Sequence, residues 1–459
     1  MSGIWVQVIQ FVAALSLLII LHEGGHFFFA KLFKTRVEKF YLFFDFLFPF
    51  SNVLSFSLFK KKKGETTYGI GWFPMGGYVK IAGIVDESMD KEQMKQPPQP
   101  WEFRSKPAWQ RALILLGGII VNVLLAFVIY AMVLFAWGQK RLPLSELKSG
   151  IVVGDSLAYN LGFKDGDQIR EVNGKTLHYY DEIMPELIYA KSVIVERDGR
   201  EKTLIMPENF IEQLIDNKGR QLFYIPMPAI VGDVMKGSEA SKIGLEKDDQ
   251  LVAVNGSPTS DTKALRNVLK DNKGQEVQLS VLRDGKTLDM AAHVSDSGTL
   301  GFFFLAPTAI SDTRGDQFGP YHIETTKYGF FASFPAGVKM GLDKLNFYVQ
   351  QFKLILNPST GAYKGLGGFD TIRKIYSQEW DWHHFWSVTA FLSLILAFMN
   401  FLPIPGLDGG HVLFTLIEMV SGRKVNEKVL EVATTVGLIL LLILMVYANG
   451  MDIVRIFQK

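Results

Sequence analysis

Four long, apolar and almost charge-free stretches divide the chain: Ile4 to Ala30, Ala112 to Trp137, Phe385 to about Leu407, and about Val432 to Met451. Each reaches the about 20 residues that a helix needs to cross a bilayer. Three of them carry a polar interruption. The first holds His22-Glu23-Gly24-Gly25-His26 between Leu15–Leu21 and Phe27–Ala30, the second holds Asn122, and the third ends near Asp408. Between the second and third stretches the pattern changes to polar segments with strand-like alternation. It changes again at Val338, Leu342, Leu345, Val349, Phe352 and Leu356, spaced by fours and threes. That spacing predicts an amphipathic helix, either packed on protein or lying at a membrane surface.

The cationic residues orient these spans. Lys31, Lys34, Arg36, Lys39, the run Lys60 to Lys63, Arg104, Lys106 and Arg111 separate the first span from the second, and Arg423, Lys424 and Lys428 separate the third from the fourth. Cytoplasmic connections carry such excess, so both are expected inside, with both termini and the middle region outside, in the periplasm of a Gram-negative cell. Lys140 and Arg141 stand against this. The first span lacks a preceding Lys or Arg and a small-residue cleavage site, which predicts a retained helix rather than a cleaved signal peptide. At 459 residues, 48% hydrophobic and 20% charged, the chain is a mixture of spans and water-exposed modules. A net charge of +2 gives no reason to expect nucleic acid as a partner. With no cysteine, disulfides and thiolate metal sites are excluded.

The middle region repeats itself. Gly162-Phe163-Lys164-Asp165-Gly166-Asp167-Gln168-Ile169-Arg170-Glu171-Val172-Asn173-Gly174 is answered by Gly244-Leu245-Glu246-Lys247-Asp248-Asp249-Gln250-Leu251-Val252-Ala253-Val254-Asn255-Gly256, and Arg197-Asp198-Gly199 by Arg283-Asp284-Gly285. Asn-Gly and Asp-Gly after alternating strands predict two-residue hairpin turns. Asp248 replaces Gly166, and Asp accepts a left-handed backbone better than most residues. Two tandem α+β modules follow, at 150–225 and 226–306. They resemble PDZ domains of the bacterial protease-associated type, which implies capture of an extended peptide at a sheet edge; a spacer or size filter is the equal alternative. A further hairpin is expected where Thr67–Phe73 and Tyr78–Ile81 flank Pro74-Met75-Gly76-Gly77, and Pro97-Pro98-Gln99-Pro100 reads as a linker.

On a helix four residues turn by about 400°, so His22 and His26 share one face and can bind one metal, with Glu23 placed as general base. A catalytic zinc takes three protein ligands and leaves a position for water. Asp408 is the only carboxylate between Asp381 and Glu418, in the run Asn400-Phe401-Leu402-Pro403-Ile404-Pro405-Gly406-Leu407-Asp408-Gly409-Gly410-His411. It is the expected third ligand; alone it would read as a helix cap. His411 is a lesser candidate, because a fourth protein ligand would displace the water. Zinc suits this donor set, while iron and cobalt stay open.

HEGGH in one span, Asn-x-x-Pro-x-Pro-x-x-Asp-Gly in another and two PDZ-like modules between them resemble the site-2 protease family over nearly the whole chain. The resemblance implies a polytopic α-helical membrane protein: four transmembrane helices (1–30, 112–137, 385–411, 432–451), a cytoplasmic or re-entrant region with a membrane-associated β-hairpin (31–111), the two modules, a connector (330–384) and a cytoplasmic loop (412–431). It implies an intramembrane endopeptidase of the bacterial inner membrane, with one Zn2+ held by His22, His26 and Asp408 and with Glu23 as base. Its substrates would be single-span membrane proteins in regulated intramembrane proteolysis, such as anti-sigma factors or remnant signal peptides. Asn400 matches a substrate-contacting position. A substrate that must unwind needs partners for its bared backbone, and the hairpin glycines suggest strand addition at Gly69, Ile70 and Gly71. The chain departs from the family at Gly117-Gly118-Ile119-Ile120-Val121-Asn122, where a proline is missing, at the loosely matching Leu356–Gly361, and in the length of Phe40–Lys63. Two other classes fit less well. A metal transporter would need more ionisable residues in its second and fourth spans, and a silent scaffold gives no reason for Glu23.

Overall fold

The computed structural model describes residues 3–46, 54–74, 76–84, 97–217, 220–305, 317–318, 321–423 and 425–457. Met75, Lys424 and positions 47–53 of the Phe40–Lys63 segment lie outside them. The chain forms two compact units: one from its start to Gly138, Lys327–Phe352 and Leu366 onward, the other from Gln139–Thr326 and Lys353–Gly365.

The first unit contains four helices long and apolar enough to cross a membrane. They are α1 (Gly3–Leu32), α2 (Ala108–Trp137), α4 (Trp382–Phe401) and α6 (Glu427–Phe457); a further helix, α3 (Phe330–Ile355), precedes α4. A helix bonds its own backbone, which is what an apolar stretch without water requires. The third span is shorter than its expected extent of 385–411. Asp381 caps its start by accepting from the His384 N–H, and Pro403 and Pro405 end it after Phe401. A separate helix, α5 (Asp408–Ser421), then occupies much of what was expected to be the loop 412–431.

The amphipathic segment forms the expected helix, but its packing face differs. Helix α3 packs on protein, but through small residues. Gly337 meets the Ala131 backbone and Gly341 meets the Phe127 ring, with Ser333 buried on the same face. Val338 and Leu342, from the expected apolar stripe, stay exposed, while Phe352 reaches Phe398. Close approach of two helices favours the side without side chains.

Beside α1 lies a four-stranded sheet of β1 (Val37–Leu42), β2 (Ser57–Lys63), β3 (Thr66–Gly71) and β4 (Tyr78–Ile81), in the order β2-β3-β1-β4. The expected hairpin between Thr67 and Ile81 is therefore absent. β1 stands between those strands, parallel to β3 and antiparallel to β4. The hairpin lies one strand earlier, where Lys63 faces Thr66 across a turn with Gly64 at φ 62°. The Pro97–Pro100 segment has neither helix nor strand.

In the second unit, separate apolar cores form around Phe163, Val193 and Leu187 and around Leu251, Leu265 and Leu279. The repeat turns take their expected form: Asn173-Gly174, Asn255-Gly256, Asp198-Gly199 and Asp284-Gly285 all have positive φ. Asp248 holds φ 72° where Gly166 holds 90°, so the turn survives the replacement. Each copy also buries an aspartate against an arginine. Arg197 grips Asp167 at 2.6 and 2.8 Å and donates to the Gly162 carbonyl; Arg283 repeats this with Asp249 and Gly244.

Candidate metal centre and cleft

Helices α1 and α2 touch backbone to backbone at glycines. A Cβ on Gly25 would stand 2.2 Å from the Gly117 carbonyl oxygen, and one on Gly118 would stand 2.5 Å from both His22 Cε1 and His26 Nε2. The two imidazoles therefore fill space left by Gly118. From the other side, α5 folds back on the proline turn through Gly409 and Gly410, where a Cβ would lie 2.4 Å from the Leu402 and Ile404 carbonyl oxygens. This fold-back carries Asp408 to the histidines.

The three donor atoms form a nearly regular triangle. His22 Nε2 lies 3.3 Å from His26 Nε2, and Asp408 Oδ2 lies 3.2 Å from the first and 3.3 Å from the second. Asp408 Oδ2 is buried and makes no hydrogen bond with either ring. Ligands about 2.0–2.1 Å from a tetrahedral zinc stand about 3.3 Å apart, so the triangle has the size that ion requires. Among the described residues these three side chains form the one such cluster of His and carboxylate donors.

Outer partners fix the rings. His26 Nδ1 donates to the Ile114 carbonyl at 2.8 Å, which leaves the Nε2 lone pair toward the triangle. His22 Nδ1 lies 3.1 Å from the Asn122 amide, and Asn122 is fully buried. Asn400 Nδ2 faces His22 Nε2 at 3.3 Å, and the Ser393 hydroxyl donates to the Asn122 carbonyl, tying α4 to α2.

A cleft of about 360 Å³ opens on the triangle. Its walls include Glu23, Asn400, His411 and the Gly76–Val79 backbone among apolar side chains. The Val79 N–H is turned to the Glu23 carboxylate. Of the residues singled out from the sequence, His22, Glu23, His26, Asn400 and Asp408 meet here. His411 lines the cleft but stands outside the donor triangle. Gly69, Ile70 and Gly71 sit in β3, which is paired on both sides by β2 and β1. An added strand has no edge there; among the described strands the outer one that lines the cleft beside the triangle is β4. Sequence reasoning missed Gln7 and Gln10, which anchor α1 by donating to the Tyr376 and Ser377 carbonyls at 2.7 and 2.8 Å. Two glutamines in an apolar run were the available signal.

A donor triangle sized for zinc, a carboxylate beside it and an apolar cleft among membrane-crossing helices define a membrane metallopeptidase. The chain belongs to peptidase family M50, the site-2 protease family, whose model matches residues 10–444. It is thus a zinc-dependent metalloendopeptidase. It is 28% identical over 489 residues to Protease RseP of Yersinia pestis, covering 99% of this chain and 100% of the relative. Against Regulator of sigma-E protease RseP of Escherichia coli it is 26% identical over 487 residues, again covering 99% and 100%. A protein of Neisseria meningitidis, named by prediction a zinc metalloprotease, is 26% identical over 468 residues, covering 98% and 99%.

Proposed function

We propose that this enzyme cleaves single-span membrane proteins within the inner membrane, as a step of regulated intramembrane proteolysis. The carrying observation is that the donor triangle, Glu23 and the β4 backbone line one cleft between the long apolar helices. His22, His26 and Asp408 would hold one zinc ion per chain, which would supply Lewis acidity toward a water and a peptide carbonyl. Glu23 takes a proton from the attacking water and returns it to the leaving amine.

Asn122 positions His22. Nε2 must keep its lone pair for the metal, so Nδ1 carries the proton and needs an acceptor. Only the amide orientation that presents Asn122 Oδ1, an atom otherwise without a partner, satisfies both groups. Asn122→Leu is expected to weaken zinc binding by about 10- to 100-fold, while Asn122→Asp retains an acceptor and most of the affinity. Competition with a fluorescent chelator reads this; equal affinity in the leucine variant would remove the role.

The substrate backbone lies along β4, with Asn400 holding one further group. An unwound scissile segment bares N–H and C=O groups, and β4 offers partners in register. Val79→Pro removes the donor facing Glu23 and is expected to cut the cleavage rate by about 10²-fold at unchanged zinc content. Asn400→Leu costs about tenfold, and less for peptides loosened by Gly or Pro near the cut. Parent rates on stable helical peptides in both variants would contradict this placement.

The tandem PDZ-like modules act as access control. In the second module Ala229–Val234 is paired on both sides, by Gln250–Val254 and by Phe302–Phe304, and offers no edge to a peptide. This favours a size filter over peptide capture. The excess of Lys and Arg in the connections between the first and second and between the third and fourth spans supports periplasmic modules and termini.

A further inference from the structure

We propose that β2 docks on the anionic phospholipid headgroups of the leaflet at the C-terminal end of α1, seating the catalytic sheet against the bilayer. β2 is an outer strand of its sheet, and from Leu58 to Lys63 every residue is exposed on both faces. Its polarity changes along its length. Leu58 is 67% and Phe59 56% exposed, and Leu54 and Phe56 just before them are also exposed; Lys60, Lys61, Lys62 and Lys63 follow. Among the described residues these four lysines form no ion pair. Lysine on a sheet edge can simply guard it from aggregation. A guard does not require exposed Leu and Phe beside it, and such patches mark interaction surfaces.

The register fixes the depth. The 30 residues of α1 span about 45 Å against a hydrocarbon core of about 30 Å, leaving about 7 Å beyond the core at each end. Lys61 pairs with Tyr68, whose ring stands 6.1 Å from that of Phe27, five residues and about 7 Å before the end of α1. Lys61 thus lies at the core boundary, with Lys62 and Lys63 in the headgroup layer. Phe59, paired with Ile70, lies about 7 Å deeper. Lys60 reaches back to the phosphates by extending its side chain. Charge and apolar surface therefore match the two layers of an anionic leaflet, and β3 and β1 connect this strand to β4 beside Glu23.

The inference rests on α1 crossing the membrane, and its test does not depend on cleavage or on orientation in the cell. The chain has no cysteine, so Leu58→Cys carries a single bimane label in full-length protein reconstituted in nanodiscs. Brominated phosphatidylglycerol is expected to quench it about twofold more than brominated phosphatidylcholine at equal mole fraction, an advantage lost in about 0.5 M salt. Replacing all four lysines by Gln should equalise the two lipids while leaving zinc content unchanged. Equal quenching by both lipids in the unmodified lysine background would overturn the headgroup preference. No quenching by either would place the strand in water, as a guarded edge or a surface for acidic protein segments.

Discussion

Glu23→Gln leaves zinc bound and lowers peptide cleavage by about 10²- to 10⁴-fold, the range over which a positioned general acid–base acts. The substitution keeps the size of the side chain and touches none of the donor atoms, since the triangle is made by His22, His26 and Asp408. What it removes is the carboxylate that faces the cleft and the Val79 N–H. Metal content by elemental analysis and single-turnover cleavage separate the two effects. A folded, zinc-loaded glutamine variant with near-parent turnover would transfer the base to another group, for which His411 is a candidate in the cleft.

Asp408→Ala is expected to act on the metal itself. The lost oxygen is one corner of the donor triangle, 3.2 and 3.3 Å from the two ring nitrogens. Removing a direct ligand should weaken zinc by more than the about 10- to 100-fold typical of an outer partner. Activity should fall with occupancy and recover in part at high zinc. Asp408 also begins α5, so a cap role would alter helix stability and leave affinity alone. Unchanged affinity would make Asp408 structural and reopen the position for His411.

The residues of the donor triangle were legible in the sequence because their signals are local. Two histidines four residues apart in an apolar run admit few readings, and an isolated carboxylate after two prolines supplies the missing ligand type. The hairpin turns of the repeat were legible for the same reason, down to Asp248 taking over from Gly166. The sheet was not. Thr67–Phe73 and Tyr78–Ile81 are sequence neighbours, and nothing in their composition announces that Val37–Leu42 enters between them in parallel. That insertion moves the candidate substrate edge from Gly69–Gly71 to Tyr78–Ile81. The packing face of α3 was hidden for a different reason. Hydrophobic periodicity marks large residues, whereas contact with α2 runs through Ser333, Gly337 and Gly341. Asn122 stood out as polar, but its bond to His22 needed the helix approach that Gly25, Gly117 and Gly118 allow.

The most direct measurement incubates the purified full-length enzyme in detergent with a panel of single-span peptides, before and after a chelator, and again after zinc is restored. The expected result is cleavage inside the apolar segment that the chelator abolishes, zinc restores and Glu23→Gln lacks in all three conditions. Cleavage indifferent to the chelator and to Glu23, or metal uptake by reconstituted vesicles with no peptide cut, would contradict it.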